Sequence, residues 1–286
     1  MSIKMNFNFK TLLYIAIFLM TAKSYACPCG CGSVNTDSLF PGETFKGAVF
    51  SNISANKTFY DSDGQIVGTN DGSEVETGFS GTASISSKFS AGITASIVKS
   101  SEYDESIIKE PGVYGSYILN QYDFTRPFYP LSIIMISYSP EFSENMSIHR
   151  GYQTLSLASS NWFTIEEHNW GVNLSLTRKL PSSNNFTKEK SVDRGYVYGV
   201  DFGYTKIIAP YGQYGISYGL RQSTLTKVGG KLIGDSEVAS DTLSVYAGMR
   251  VLERTNARLS LSKDSLVLAK NNLAVTNLSL TLSRTF

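Results

Sequence analysis

The chain is short of charge, of histidine and of long apolar runs, and its few cysteines are confined to one place. Charged residues make up 17% of its 286 residues, against about 25% in ordinary soluble domains. The formal net charge is +1, and no block of like charge runs along the chain. That excludes a surface built to hold a nucleic-acid backbone. No uninterrupted stretch of about 18 apolar residues occurs, which excludes a multi-span helical membrane protein; the mean hydropathy is −0.09. The two histidines, His149 and His168, meet no Ser or Asn pattern of a membrane hydrolase, and no glycine-rich phosphate loop is present. A non-enzyme that needs no cofactor is expected.

Aromatic residues are plentiful, with 17 Tyr and 16 Phe, alongside 24 Gly. So many aromatics exclude a disordered chain. Few charges, many Tyr, Phe, Gly, Ser and Thr, and middling hydropathy suit strands that are apolar on one face only.

The first 26 residues read as a secretory signal peptide. Lys4 and Lys10 give a basic start, residues 12–20 an apolar run too short to span a bilayer, and Ser24-Tyr25-Ala26 the small −3 and −1 residues of a cleavage site. Cleavage removes three lysines and no acid, which turns the net charge from +1 to −2. Residues 27–42 form a Cys-rich segment expected in the periplasm, and 43–286 the folded body.

The body alternates with period two. Trp170, Val172, Leu174 and Leu176 take one face of a strand, and Gly171, Asn173, Ser175 and Thr177 the other. Further runs start at Tyr196, Tyr214, Leu243, Ala257 and Leu278, the last ending on Phe286. Apolar residues at i, i+2 and i+4 share one face of a strand. Less regular strands are expected at 43–58, 75–86, 91–100, 113–123, 130–139 and 151–160. Residues 133–136 are apolar on both faces, so that strand is expected to pack its inner face against something.

The connections separate a sandwich from a membrane barrel. Odd connections, such as 60–74, 181–194 and 226–238, are long and polar; even ones, such as 87–90, 208–211 and 253–256, are tight. Transmembrane barrels have short periplasmic turns and longer external loops, whereas a sandwich does not sort loops by parity. The fold class expected is therefore all-β, a transmembrane antiparallel β-barrel of about twelve strands, with ten to fourteen as the range. Closure satisfies every backbone polar group inside the hydrocarbon. Trp170, Tyr196 and Tyr204 are candidates for the interfacial aromatic girdles.

Three sets of residues carry candidate chemistry. Lys46, Asp201, Arg221, Arg250 and Arg258 fall on the lumen face, where charge sets selectivity or closes into a salt-bridged network with Asp201 neutralising a neighbouring Arg. Gly199, Gly203, Gly215, Gly219 and Gly248 face the same way and leave room. Cys27, Cys29 and Cys31 cluster at the mature N-terminus. Three thiolates on a Gly/Pro-rich segment suit a soft ion, Cu(I) or Zn(II); the alternatives are a disulfide plus a free or lipidated thiol, or no specific role. Asp61, Asp63 and Asp71 could hold Ca²⁺, but their spacing misses the EF-hand pattern and a solvated turn is the stronger reading.

The signal peptide, the Cys-Gly start, Phe40-Pro41-Gly42 before the first strand and the alternating C-terminal strand ending in Phe286 resemble the outer-membrane transporters related to phenol-degradation meta-pathway barrels. The resemblance implies passage of small, apolar solutes. The terminal strand resembles the signal read by the barrel assembly machinery. The expected partners are outer-membrane lipid, that machinery and a small-molecule solute, with no nucleic acid, and the expected location is the bacterial outer membrane. The expected function is a channel or transporter for passive passage of a small solute. Two other readings stand beside it: a surface adhesive barrel with a plugged lumen, and a metal-handling protein that works through its thiols.

Overall fold

The alternation closes into a barrel. The computed structural model describes residue 39 and residues 42–101, 106–121, 129–140, 152–181, 192–208 and 212–286. In chain order its strands are β1 (Phe45–Tyr60), β2 (Ile66–Asn70), β3 (Glu74–Ser84), β4 (Phe89–Ser100), β5 (Ser106–Asn120), β6 (Leu131–Ser139), β7 (Tyr152–Ile165), β8 (His168–Pro181), β9 (Val192–Asp193), β10 (Tyr196–Ile208), β11 (Gly212–Ser223), β12 (Lys227–Val228), β13 (Lys231–Leu232), β14 (Ala239–Leu252), β15 (Thr255–Lys270) and β16 (Leu273–Thr285). Twelve of them form the wall, each antiparallel to its neighbours, and β16 pairs with β1 to close it, from Lys46 opposite Thr285 to Phe59 opposite Leu273. Among the described residues, closure pairs every strand of the wall on both sides. The seam is finished by the last residue: the Phe286 carbonyl accepts the Thr44 and Phe45 N–H groups, and the Phe286 N–H bonds back to Phe45.

Most wall strands turn their apolar residues outward. Phe79, Ile93, Leu174, Phe202, Ile216 and Leu280, on six different strands, are all exposed. In water such a belt would be a large liability. Around a closed barrel it is the lipid-facing band, flanked at its two ends by aromatic residues. Trp170 and Tyr204 meet at one rim as tilted rings with centroids 4.6 Å apart, and the Tyr204 hydroxyl meets His168 Nδ1 at 2.8 Å. Tyr196 lies at the opposite rim with Arg178 over its ring at 4.7 Å. The girdle candidates are therefore divided between the two rims.

The inner face is built from small residues bridged by aromatics. Phe50 opposite Gly78, Tyr114 opposite Gly92, Trp162 opposite Gly171 and Tyr246 opposite Gly215 are directly paired across neighbouring strands. In each pair the ring lies where a side chain on the glycine would stand. Ring and glycine fill one another's space, a device that pins register. Two of the four are the same unit repeated. Tyr114 crosses Gly92 to bond the Thr82 hydroxyl, and Tyr246 crosses Gly215 to reach Thr205. Each clasp thus ties three adjacent strands, β5–β4–β3 and β14–β11–β10.

Loop lengths follow the expected parity with three departures. The turns 85–88, 166–167 and 253–254 are short and lie at the end where β1 starts and β16 stops, which short turns mark as the periplasmic end. The even connection 121–130, however, is long. Two odd connections, β4 to β5 and β15 to β16, are short, because β5, β15 and β16 continue as paired strands through residues expected to be loop. Bulging makes one such extension possible. Ser265 has φ 56°, and the freed N–H groups of Val267 and Leu268 are taken by the buried Asp241 carboxylate. Externally, Gly229 and Gly230, both at positive φ, make the two-residue turn between β12 and β13 that such φ values favour. These strands and β9 form a separate three-stranded sheet.

Candidate functional site

The candidate site is the lumen wall, and its two halves differ. On β5, β6 and β7 the inner positions near the periplasmic end are bulky and apolar. Leu131 is fully buried, and Ile118, Ile133 and Trp162 are nearly so. The expectation that residues 133–136 pack their inner face is met here by Ile133. Leu39, the one residue described ahead of the barrel's first turn, is buried too, and lines a cavity of about 350 Å³ with Ser90, Ile118 and Gln121 at the periplasmic mouth.

On β8, β10 and β11 the same face is small and polar. Gly171, Gly203 and Ser217 follow one another across the three strands in register, as do Asn173, Asp201 and Gly219. The residue types dictate the geometry. Arg221 lies along the wall and its Nη2 reaches Asp201 Oδ1 at 2.8 Å and Oδ2 at 2.9 Å. That flat course runs over Gly199 and Gly219, where a side chain would collide with Arg221 and Asp201. The glycines make room for an ion pair rather than for open space. Arg221 also donates to the Leu220 carbonyl at 2.9 Å. Asp201 is buried and Arg221 is about 40% exposed, so the guanidinium keeps one side toward the lumen.

The other predicted lumen residues are distributed around this pair. Arg258 stacks on Tyr246 at 4.0 Å, the ring of the second clasp. Arg250 stands opposite Asn256 toward the periplasmic end. Lys46 sits on β1 between Thr285 and Thr82, on the other side of the seam. Of the five predicted residues the fold joins Asp201 and Arg221 by direct contact. Lys57 and Glu74 form a further pair at 2.8 Å in the external half, and Glu76 accepts from Ser96 at 2.7 Å.

Asn169 and Asn173 are functional candidates that the sequence reading did not single out. Trp170, Val172 and Leu174 share the lipid-facing side, so Asn169 and Asn173, on the alternate positions, point inward. Both asparagines are at least 95% buried, and neither amide has a hydrogen-bond partner at its nitrogen or its oxygen. Such amides are costly unless a water or solute satisfies them. The parity that put Asn173 on the polar face was the available signal; nothing in sequence marked it as buried.

Other sequence candidates resolve differently. Asp61 accepts the N–H groups of Asp63 and Gln65; its carboxylate closes its own turn, as the solvated-turn reading expects. Cys27, Cys29, Cys31 and His149 lie outside the described residues. Among the described residues no group of three His, Cys, Asp or Glu is placed to hold a metal ion.

Neither a family model nor a curated protein matches the sequence. Solved structures do match the fold. A COG4313 outer membrane channel from Pseudomonas putida F1 superposes with a TM-score of 0.68 at 13% identity, over 88% of this chain and 98% of that one. The NanC porin gives 0.51 at 9% identity over 83% and 100%. The transport unit of the autotransporter AIDA-I from Escherichia coli gives 0.51 at 11% over 97% of each chain. The fold is that of the bacterial outer-membrane β-barrels. A closed wall with an apolar outer belt and a polar inner face is a membrane-spanning structure.

Proposed function

We propose that the chain is an outer-membrane channel for passive passage of small polar solutes. The observation that carries this reading is the inner wall of β8, β10 and β11, where glycine, serine, asparagine and one ion pair stand in place of bulky filling. Along that wall the half-exposed Arg221 guanidinium is the charged group presented to a solute in transit, and channel selectivity is set by such lining groups. The resemblance noted in the sequence implied apolar solutes; the wall chemistry supports polar ones. Asp201 and Arg221 are the tuning pair. Asp201 offsets the Arg221 charge, and the glycines beneath them hold the pair against the wall rather than across the lumen. The strand that closes the barrel, β16, is also the one we propose the assembly machinery reads, through its terminal Phe286.

The test is swelling of liposomes carrying the refolded mature protein, with heat-modifiable gel mobility as the check on insertion. Swelling in small sugars or amino acids supports the channel. A correctly inserted barrel that passes neither solutes nor ions refutes it and leaves the adhesive, plugged-lumen reading.

A further inference from the structure

In the lumen wall one carboxylate stands between two donors and uses only one of them. Asp201 on β10 is buried and is held by Arg221 Nη2 at 2.8 and 2.9 Å. Directly opposite it in register, on β8, stands Asn173, which is 4% exposed. The Asn173 amide has no partner at its nitrogen or its oxygen, although an acceptor is its register neighbour. Residues directly opposite on adjacent strands have Cβ atoms about 4.5–5.5 Å apart, a gap that rotation of an asparagine side chain closes. A buried amide left unbonded is costly. It is accounted for by a second arrangement of the wall in which it is bonded.

The ion pair supplies that arrangement. The Asp201 side chain is 12% exposed and that of Arg221 40%, so the guanidinium is the partner able to leave. Its other hold on the wall is through Nη1, to the Leu220 carbonyl at 2.9 Å and the Val200 carbonyl at 3.5 Å. Among the described residues its Nε makes no hydrogen bond. It runs over Gly199 and Gly219, where no side chain interlocks with it. A guanidinium has five N–H donors in a fork that fits a carboxylate, and the Nε edge remains for an incoming one. Taking Arg221 off Asp201 alone would strand a buried charge, which is the costly part of breaking such a pair. The Asn173 N–H groups are the replacement donors.

We propose that Asn173 is a positioning residue that takes over Asp201 when Arg221 turns to a solute carboxylate, so that the channel passes small carboxylates by exchange at Arg221. Asp201 accepts from Arg221 in one arrangement and from Asn173 in the other, and no proton moves. Two nearly balanced arrangements hold the solute weakly enough for it to leave, as conduction requires. This inference rests on the channel reading above and names its solute class.

The experiment measures the permeability of acetate relative to chloride. It uses the reversal potential of the full mature protein in a planar bilayer, with sodium acetate on one side and sodium chloride on the other. Liposome swelling in arabinose is the neutral control. Asn173→Leu cannot donate, and should lower the acetate-to-chloride ratio by about fivefold, the equilibrium worth of one ordinary hydrogen bond, with arabinose swelling unchanged. Asn173→Ser keeps a donor and should keep most of the wild-type ratio. In an Asp201→Asn background no charge is stranded, and Asn173→Leu should then leave the ratio as it is. Heat-modifiable mobility verifies folding; if Asn173→Leu does not insert, Asn173→Ala is read in its place. An unchanged ratio in the folded variant, a parallel fall in acetate and arabinose, or an equal fall in the Asp201→Asn background overturns the proposal. A folded wild type that passes neither ions nor arabinose refutes the channel reading and this inference with it, whereas passage of both with an acetate ratio independent of Asn173 refutes this inference alone.

Discussion

The two halves of the lumen wall are made from the same clasp and finished in opposite ways. Tyr114 over Gly92 to Thr82 and Tyr246 over Gly215 to Thr205 are equivalent in strand offset and in hydrogen bond. Beside the first clasp the wall continues into Ile118, Ile133, Leu131 and Trp162, all buried. Beside the second it continues into Gly203, Ser217 and the Asp201–Arg221 pair. The clasp is therefore a way of building the wall, and what lines the lumen is set by the residues next to it. Both halves are closely packed; one is filled by apolar side chains, the other by polar ones, with Arg221 about 40% exposed among them.

The largest effect is expected where the apolar half is emptied. Trp162→Ala removes the ring that covers Gly171 and packs by Leu131, and should lower stability by about 3–5 kcal/mol, the range for a buried Trp truncation. Urea unfolding in lipid vesicles measures it, and an unchanged midpoint would show that this half is not a packed core. Next comes Gly215→Val in the polar half. The new side chain meets both the Tyr246 ring and the Tyr204 backbone carbonyl, and such overpacking typically costs about 1–3 kcal/mol. A variant as stable as wild type would mean that the clasp is loose.

The equivalence of the two clasps can be sharpened with a smaller change. Tyr114→Phe and Tyr246→Phe each remove one hydroxyl and leave the ring in place. Each should cost about 1 kcal/mol, the net worth of an ordinary hydrogen bond. The same unfolding assay reads both, and a difference of more than twofold between them would break the equivalence.

How much of this was legible beforehand varies by element. The wall strands were readable because lipid outside and polar lumen inside enforce strict alternation, as in Tyr196 to Tyr204 against Val197 to Thr205. The terminal Phe286 and the girdle residues Trp170 and Tyr196 were readable for the same reason. Asp201 was recognised as a partner for an arginine, but its choice of Arg221 over Arg250 or Arg258 depended on register, which a sequence does not print. The clasps were hidden because an inward Tyr and an inward Gly look like separate residues until two strands bring them opposite. Loop lengths misled at 271–272, where a bulge anchored by Asp241 keeps β15 in paired strand up to Lys270, and before β5, which starts at Ser106 rather than at 113.

Two further changes separate lumen from rim. Asp201→Asn leaves Arg221 as a free cation on the wall and should shift the reversal potential toward anion selectivity, while Arg221→Gln should shift it the other way. Equal selectivity in both would remove the pair from the conduction path. The smallest effect is expected outside the barrel. Asp193 on β9 is held below the usual carboxylate range, first by the hydrogen bond from Arg178 and then by the Gly195 N–H. A carboxylate whose folded pKa is depressed contributes stability that is present above its ordinary value of about 3.9 and is lost as pH falls through the lowered one. Wild type and Asp193→Asn should therefore differ slightly at neutral pH and converge in strong acid, as read by thermal unfolding across that range. A gap that widens on acidification would contradict the sign.

The most direct measurement is the current through single molecules of the mature protein in a planar bilayer. The account predicts discrete, reproducible conductance steps whose ion selectivity moves in opposite directions in Asp201→Asn and Arg221→Gln. A folded, inserted barrel that stays silent under the same voltage would contradict it.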